Sequence, residues 1–360
     1  MEFLAHLVSL LLGTYLAFTN ALATSIENQL PSYLTSEYKQ GGALLSEPTL
    51  VSINSKSAFA AIPDILLKNS AYQKASIVES IDPVTAPATA LEALVNIYCT
   101  YKTDKYIKTT TGTGFFIDTD GVILTNAHVA QFLLLEGLEG QADCIIRTGN
   151  PATAAYEADL LYIPPTWVRE HARLINDTAP KGTGERDYAL LYVTSALDGK
   201  PMPAQFKALP FDTNALTTGI QNSEVFATGY PAESMLAEGG NSPLIPKQAT
   251  TTIAELMTFG SNLVDIFTIK GSAIGEHGSS GGPIVNRDGK TIGIISTKGD
   301  DEQFGKGSLR AVSIAYINRT IKQETGFELF QNMNGDLPYR AQLFKDTIIP
   351  FLQKTLQAEL

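Results

Sequence analysis

Gly278-Ser279-Ser280-Gly281-Gly282-Pro283 sets a serine on a tight glycine turn. Glycine tolerates φ > 0 and lets a substrate carbonyl approach the main chain closely. The amides of Gly278 and Ser280 can then converge on the oxygen that turns negative in a tetrahedral intermediate, an oxyanion hole. The same run also fits a plain glycine-rich hairpin loop, so the segments upstream decide between the two. Thr125-Asn126-Ala127-His128-Val129 follows a short apolar strand at 121–124 and leads into a helical pattern over 129–135. Asp187-Tyr188-Ala189-Leu190-Leu191-Tyr192-Val193 puts an aspartate at the mouth of a buried strand.

A serine hydroxyl is a poor nucleophile at neutral pH. It needs an imidazole to take its proton, and the imidazole needs a carboxylate to fix its tautomer and stabilise its cation. His128, Asp187 and Ser280 supply one of each, in the order His, Asp, Ser, which differs from the orders of subtilisins and α/β-hydrolases. The chain resembles a trypsin-like, chymotrypsin-fold serine protease, and most closely the bacterial Deg/HtrA branch. The motifs that carry the resemblance are Gly112-Thr113-Gly114-Phe115-Phe116-Ile117-Asp118, the histidine segment from Asp120 to His128, Asp187-Tyr188-Ala189-Leu190, Ala227-Thr228-Gly229-Tyr230-Pro231, the serine turn extended to Asn286, and Gly289-Lys290-Thr291-Ile292-Gly293-Ile294. They span residues 93–320. The resemblance implies two antiparallel barrels with the triad in the cleft between them, His128 and Asp187 from the first and Ser280 from the second. Two departures stand out. Residues beyond 320 are too few for the PDZ domain that usually follows a Deg protease, and 163–185 is an insertion expected to form a surface excursion.

The strand pattern agrees with an all-β core. Short strands are expected at 94–101, 113–117, 122–124, 144–147 and 189–193, and again at 224–229, 263–269, 282–286, 291–296 and 309–314. Turn residues bound them, as at Asp118-Thr119-Asp120-Gly121, with no sign of βαβ units. The expected fold is two six-stranded antiparallel β-barrels with an N-terminal extension and C-terminal helices. A closing helix is expected over 317–324, ended by Gly326, and a second helical stretch over 339–360, interrupted at Pro350.

The domain limits follow from composition. Residues 3–23 are nearly free of charge and end in Ala21-Leu22-Ala23, a small-x-small site that a signal peptidase could accept. The segment has no Lys or Arg before its apolar run, and the run is also long enough for an uncleaved membrane anchor; a buried cytosolic helix is the third reading. Residues 24–90 read as an extension and linker, with a helix possible over 62–81 that either packs on a barrel or serves as a propeptide or oligomerisation arm. The protease domain is expected at 91–325 and a helical tail at 326–360. With 26 Lys+Arg against 37 Asp+Glu, the formal charge of -11 argues against nucleic acid and anionic membrane surfaces as partners.

Only four histidines occur: His6, His128, His171 and His277. His6 lies in the export segment, His171 in the expected excursion and His277 at the rim of the cleft, where it either touches substrate or stays solvated. His128 alone is placed to act as base. Asp143, Asp159 and Asp177 are rival acids, but none stands at a triad position of the family. No Cys/His spacing resembles a metal site, and the fold requires no cofactor. Cys99 and Cys144, the only cysteines, fall in expected strands of the first barrel, either disulfide-bonded or buried as free thiols.

Counting back from Ser280 puts Ile274 where trypsin-like enzymes place the floor of the primary specificity pocket. An apolar residue there implies cleavage after small or aliphatic side chains. The strand Ile295-Ser296-Thr297 is expected to pair with substrate backbone. The function expected is a secreted or envelope serine endopeptidase acting through an acyl-enzyme on unfolded or extended polypeptides. The alternative is an inactive protease-like module that binds extended peptides.

Overall fold

Twelve short strands close into two barrels. The computed structural model describes residues 85–102, 107–136, 138, 142–176, 182–233, 243–260 and 262–359. The apolar segment 3–23, the extension up to 84 with its expected helix at 62–81, and Asp177 lie outside the described residues. Helix α1 (Thr85–Glu92) leads in, where a linker was expected.

The first barrel contains β1 (Leu94–Lys102), β2 (Ile107–Phe116), β3 (Val122–Thr125), β4 (Ala142–Thr148), β5 (Thr153–Tyr162) and β6 (Ala189–Ala196). The second contains β7 (Glu224–Gly229), β8 (Lys247–Met257), β9 (Ile266–Ile269), β10 (Pro283–Val285), β11 (Thr291–Lys298) and β12 (Leu309–Ser313). Neighbours run β1-β2-β3-β6-β5-β4 in one barrel and β7-β8-β9-β12-β11-β10 in the other, so the second repeats the strand order of the first. Every pairing between these strands is antiparallel. This is the two-barrel chymotrypsin-like fold. β5 and β8 complete the six strands of each barrel, beyond the five segments per barrel that the pattern picks out.

Three apolar clusters hold the unit together. One fills the first barrel, one fills the second, and one, containing Phe115, Leu124, Tyr188, Phe226, Val285 and Val312, lies between the barrels. Fully burying a Phe or Leu stabilises by about 1.5–3 kcal/mol, so the middle cluster fixes the cleft rigidly between its two halves. The helices are α2 (Ala127–Ala130), α3 (Pro165–His171), α4 (Asp301–Phe304), α5 (Ile314–Thr325), α6 (Leu337–Thr347) and α7 (Ile349–Gln357).

Helix α5 starts on Ser313, whose hydroxyl accepts from Tyr316 N–H at 3.1 Å, and ends at Gly326 with φ +81. Helix α6 starts on Asp336, whose side chain caps Tyr339 N–H, and Pro350 in the first turn of α7 separates the two. Ile349, Leu352 and Leu356 of α7 are buried in the first-barrel cluster.

Residues 163–176 correct the expectation of a surface excursion over 163–185. They contain α3, and Trp167, Val168, Ala172 and Ile175 are buried in the first-barrel core. His171 is half-buried on that helix, stacked on Trp167 with ring centroids 4.9 Å apart, and its Nδ1 lies 3.0 Å from Trp167 O. Four apolar residues at 167, 168, 172 and 175 follow a helical period, which the polar flanks conceal.

Candidate active site

The site is assembled from three turns. His128 sits on α2, immediately after β3, where Asn126 is the N-cap residue but does not cap with its side chain. Instead Asn126 Nδ2 donates to Asp187 O at 2.9 Å and ties the histidine turn to the aspartate turn. The Asp187 carboxylate accepts three hydrogen bonds. His128 N–H reaches Oδ1 at 3.0 Å, and His128 Nδ1 and Ser296 Oγ reach Oδ2 at 2.8 and 2.6 Å. An ionised carboxylate only accepts, so Nδ1 carries the proton and Nε2 presents its lone pair. The imidazole is 33% exposed and the carboxylate 5%.

Electrostatics follow from this packing. Burial opposes the charged imidazole, but the Asp187 charge and hydrogen bond together outweigh it and hold His128 above its ordinary pKa. Burial also opposes the charged carboxylate. The His128 charge and the bonds from His128 and Ser296 outweigh it there too, and Asp187 lies below its ordinary pKa.

The aspartate turn is anchored from behind by α5. Arg186 has φ +54, Tyr188 N–H returns to Arg186 O at 3.0 Å, and Arg186 N–H donates to Tyr316 Oη at 3.2 Å. Its guanidinium pairs with Glu324 at 2.8 Å, and Glu324 also accepts from Tyr162 Oη at 2.5 Å. Thr320 Oγ1 donates to Tyr188 Oη at 2.9 Å.

Ser280 lies on the glycine turn before β10. Ser296 lies at a register shift between Ile295 and Thr297 and on the inter-barrel side of β11, where its hydroxyl reaches Asp187 while its carbonyl accepts from Ser280 Oγ at 3.4 Å. Ser296 therefore links Ser280 to the Asp187–His128 pair, and no hydrogen bond joins Ser280 directly to His128. Gly278 and Gly281 have φ +94 and +87. A Cβ on Gly278 would lie 2.5 Å from Tyr230 O, and one on Gly281 would lie 2.0 Å from Thr113 O. Neither the Gly278 nor the Ser280 amide has an acceptor among the described residues, so both are available to a ligand oxygen.

The other expected residues divide. Past Ile295, which exchanges backbone bonds with Gly281 and Gly282, the β10 side of β11 carries no strand among the described residues, and Thr297 is half-buried beside that edge. His277 is exposed at the rim. Ile274 has no exposed surface and belongs to the second-barrel cluster, so it does not offer the face that a pocket floor must present. Behind it, segment 271–275 is in backbone contact with 305–307, and a Cβ on Gly275 would lie 2.2 Å from Gly307 Cα. Cys99 and Cys144 are directly opposite on β1 and β4 and are disulfide-bonded. Asp143 and Asp159 lie in β4 and β5, and Asp159 pairs with Lys345 at 3.1 Å. No metal-holding group of His, Cys, Asp or Glu occurs among the described residues.

Residues 112–294, about half of the chain, match the model of the trypsin-like peptidase domain. The chain belongs to the trypsin-like peptidase family. This trypsin-like peptidase is 26% identical over 197 residues to the uncharacterised protein y4bJ of Sinorhizobium fredii, covering 55% of its own length and 23% of that relative's. It thus spans about a quarter of the curated relative it matches. Among solved structures it is similar to the Rv3671c protease of M. tuberculosis in its active form, with 18% identity and a TM-score of 0.42 over 71% of this chain and 89% of that one. The inactive serine-to-alanine variant of Rv3671c gives 18% identity and a TM-score of 0.40, over 69% and 95%.

Two contacts of the candidate site have no signal in the sequence pattern. Ser296 was expected at the substrate strand, not as a partner of the carboxylate, and Thr113 was not singled out within its motif. The register shift beside Ser296 leaves no trace in the sequence from Gly293 to Lys298.

Proposed function

We propose that the protein is a serine endopeptidase in which Ser280 is the nucleophile, His128 the general base and Asp187 the orienting carboxylate. The observation that carries this reading is the hydrogen-bonded path from Ser280 through Ser296 to Asp187 and His128. A change of Ser280 χ1 between staggered wells turns the hydroxyl from the Ser296 carbonyl toward Nε2, a contact that forms once substrate is bound. Oγ then bonds to the substrate carbonyl carbon while its proton passes to Nε2. The oxyanion meets the Gly278 and Ser280 amides. Collapse breaks the C–N bond, the departing amine takes the proton from His128, and water repeats the sequence on the acyl-enzyme.

The substrate is an extended polypeptide that adds a strand along the open edge at Thr297. Its side chain before the scissile bond is small or aliphatic. Glu276, the carboxylate nearest the serine turn on that side, is drawn to Lys247 at 3.7 Å, so a Lys or Arg would enter without a free partner there. Cleavage of casein by the wild-type protein tests the function. Turnover that falls by several orders of magnitude in S280A supports it; no turnover by either protein indicates a peptide-binding module instead, and equal turnover by both removes Ser280 from the reaction.

The protein acts outside the cytosol. The Cys99–Cys144 bond supports an oxidising compartment, and the Ala21-Leu22-Ala23 site supports export with processing before Thr24. N-terminal sequencing of the exported protein checks it: a start at Thr24 agrees, whereas Met1 retained in a membrane fraction indicates an anchor. Among the described residues no helix is long and apolar enough to cross a membrane.

A further inference from the structure

Four consecutive carbonyls of the serine turn are each held by a donor. His277 O accepts from Ala232 N–H at 2.7 Å and Gly278 O from Thr113 Oγ1 at 2.6 Å. Ser279 O accepts from Gly282 N–H at 3.0 Å and Ser280 O from Thr113 N–H at 2.7 Å. A trans peptide is a rigid plane, so fixing its carbonyl also aims the N–H on the opposite edge. The Gly278 amide shares a plane with the His277 carbonyl, and the Ser280 amide shares one with the Ser279 carbonyl. The plane between those two is the one held by the Thr113 hydroxyl.

Three of the four donors are backbone amides, which survive nearly any substitution. The fourth is a side chain. Thr113 has no exposed surface, and its hydroxyl is used twice, donating to Gly278 O and accepting from Tyr230 N–H at 2.9 Å. Its own carbonyl accepts from Thr125 Oγ1 at 2.7 Å, which fixes it within the first barrel. The turn that it grips belongs to the second barrel and is built on a glycine with φ +94, whose backbone is the freest to rotate.

We infer that Thr113, through its hydroxyl, is a positioning residue for the oxyanion site: it bolts the Gly278–Ser279 peptide across the barrel interface and keeps the Gly278 and Ser280 amides convergent. This rests on the peptidase reading above. Loss of the hydroxyl leaves Gly278 O and Tyr230 N–H without their partner, and the central plane is then held only by the long bond from Ser279 N–H to Glu276 O at 3.4 Å, so it can turn. Both amides then lose aim, while the substrate strand at Thr297 is untouched. The effect belongs in kcat and in acylation, with KM preserved.

The test compares wild type, T113V, T113S and S280A by the second-order rate of fluorophosphonate labelling and by kcat and KM on a casein-derived fluorogenic peptide, at a temperature where circular dichroism shows each protein folded. T113V is expected to label at least about tenfold more slowly and to lose kcat by a similar factor with KM within threefold, below the 10²–10³ for deleting an oxyanion donor outright. T113S should stay within threefold of wild type. T113V matching wild type, or T113S falling as far as T113V, overturns the assignment of Thr113 and leaves the peptidase reading intact. If T113V does not fold, T113A against T113S decides on the same tenfold criterion. A wild type that labels no better than S280A overturns both.

Discussion

Ser296 Oγ donates to Asp187 Oδ2 at 2.6 Å, the same oxygen that faces His128 Nδ1. Alternation along β11 makes this possible: Ile295 faces the second-barrel core and Ile294 the cluster between the barrels, so Ser296 falls on the same side as Ile294, toward Asp187. S296A removes one of three donors to the carboxylate and leaves the imidazole contact in place. A charge-assisted bond of ~1.5 kcal/mol corresponds to a loss of about tenfold in kcat/KM. Steady-state kinetics on a fluorogenic peptide check it, and an unchanged kcat/KM would mean that Ser296 does not orient the carboxylate.

The pH dependence follows from the raised pKa of His128. The base must be neutral, so kcat/KM should climb with pH along a limb centred above 6.5 and fall as acid protonates Nε2. In D187N the opposing burial remains while the charge is gone, so the limb should move to lower pH as the rate drops by about 10⁴. Stability carries the opposite sign. Protonated His128 stabilises the fold fully below its unfolded pKa, and this contribution disappears as pH rises through the folded value. A limb at or below 6.5 in the wild type would contradict the Asp187 pairing.

S280A and H128A should each reduce casein turnover by several orders of magnitude. Because the proposed triad works as a unit, the double variant should be scarcely slower than either single one. Losses that multiply would separate His128 from the Ser280 step.

Glu136 provides a check of stability away from the cleft. Its carboxylate accepts from Cys144 N–H at 2.8 Å, and burial, reinforced by Asp159 and Asp143, pushes its pKa up to about 7. Between its unfolded pKa and about 7 the folded state binds the extra proton, so stability falls as pH rises through that window. E136Q keeps an acceptor for Cys144 and has nothing to ionise. Thermal melts should show E136Q more stable than wild type at pH 8 and nearly equal at pH 5; equal melting temperatures at pH 8 would show that the carboxylate is solvated.

Much of the fold was legible because function and turn chemistry coincide. The serine turn, the His128 segment and Asp187 each sit where a strand ends, and the strand boundaries at 224–229 and 291–296 were marked by glycines and polar residues. The sixth strand of each barrel was hidden for a physical reason. β5 carries Ala154, Ala155, Glu157 and Asp159, and β8 carries Lys247 and Glu255, residues of low strand propensity at exposed or half-buried positions whose pairing is imposed by barrel closure. α3 was concealed because its apolar face is short. The bond from Ser296 to Asp187 and the grip of Thr113 depend on contacts between chain segments more than 100 residues apart, and periodicity reports only neighbours.

Intact mass of the purified protein before and after a fluorophosphonate, with peptide mapping of the adduct, tests the central claim most directly. The account predicts one phosphonyl group per chain, located on Ser280, and none on S280A. An unmodified wild type, or an adduct on any other residue, would contradict it.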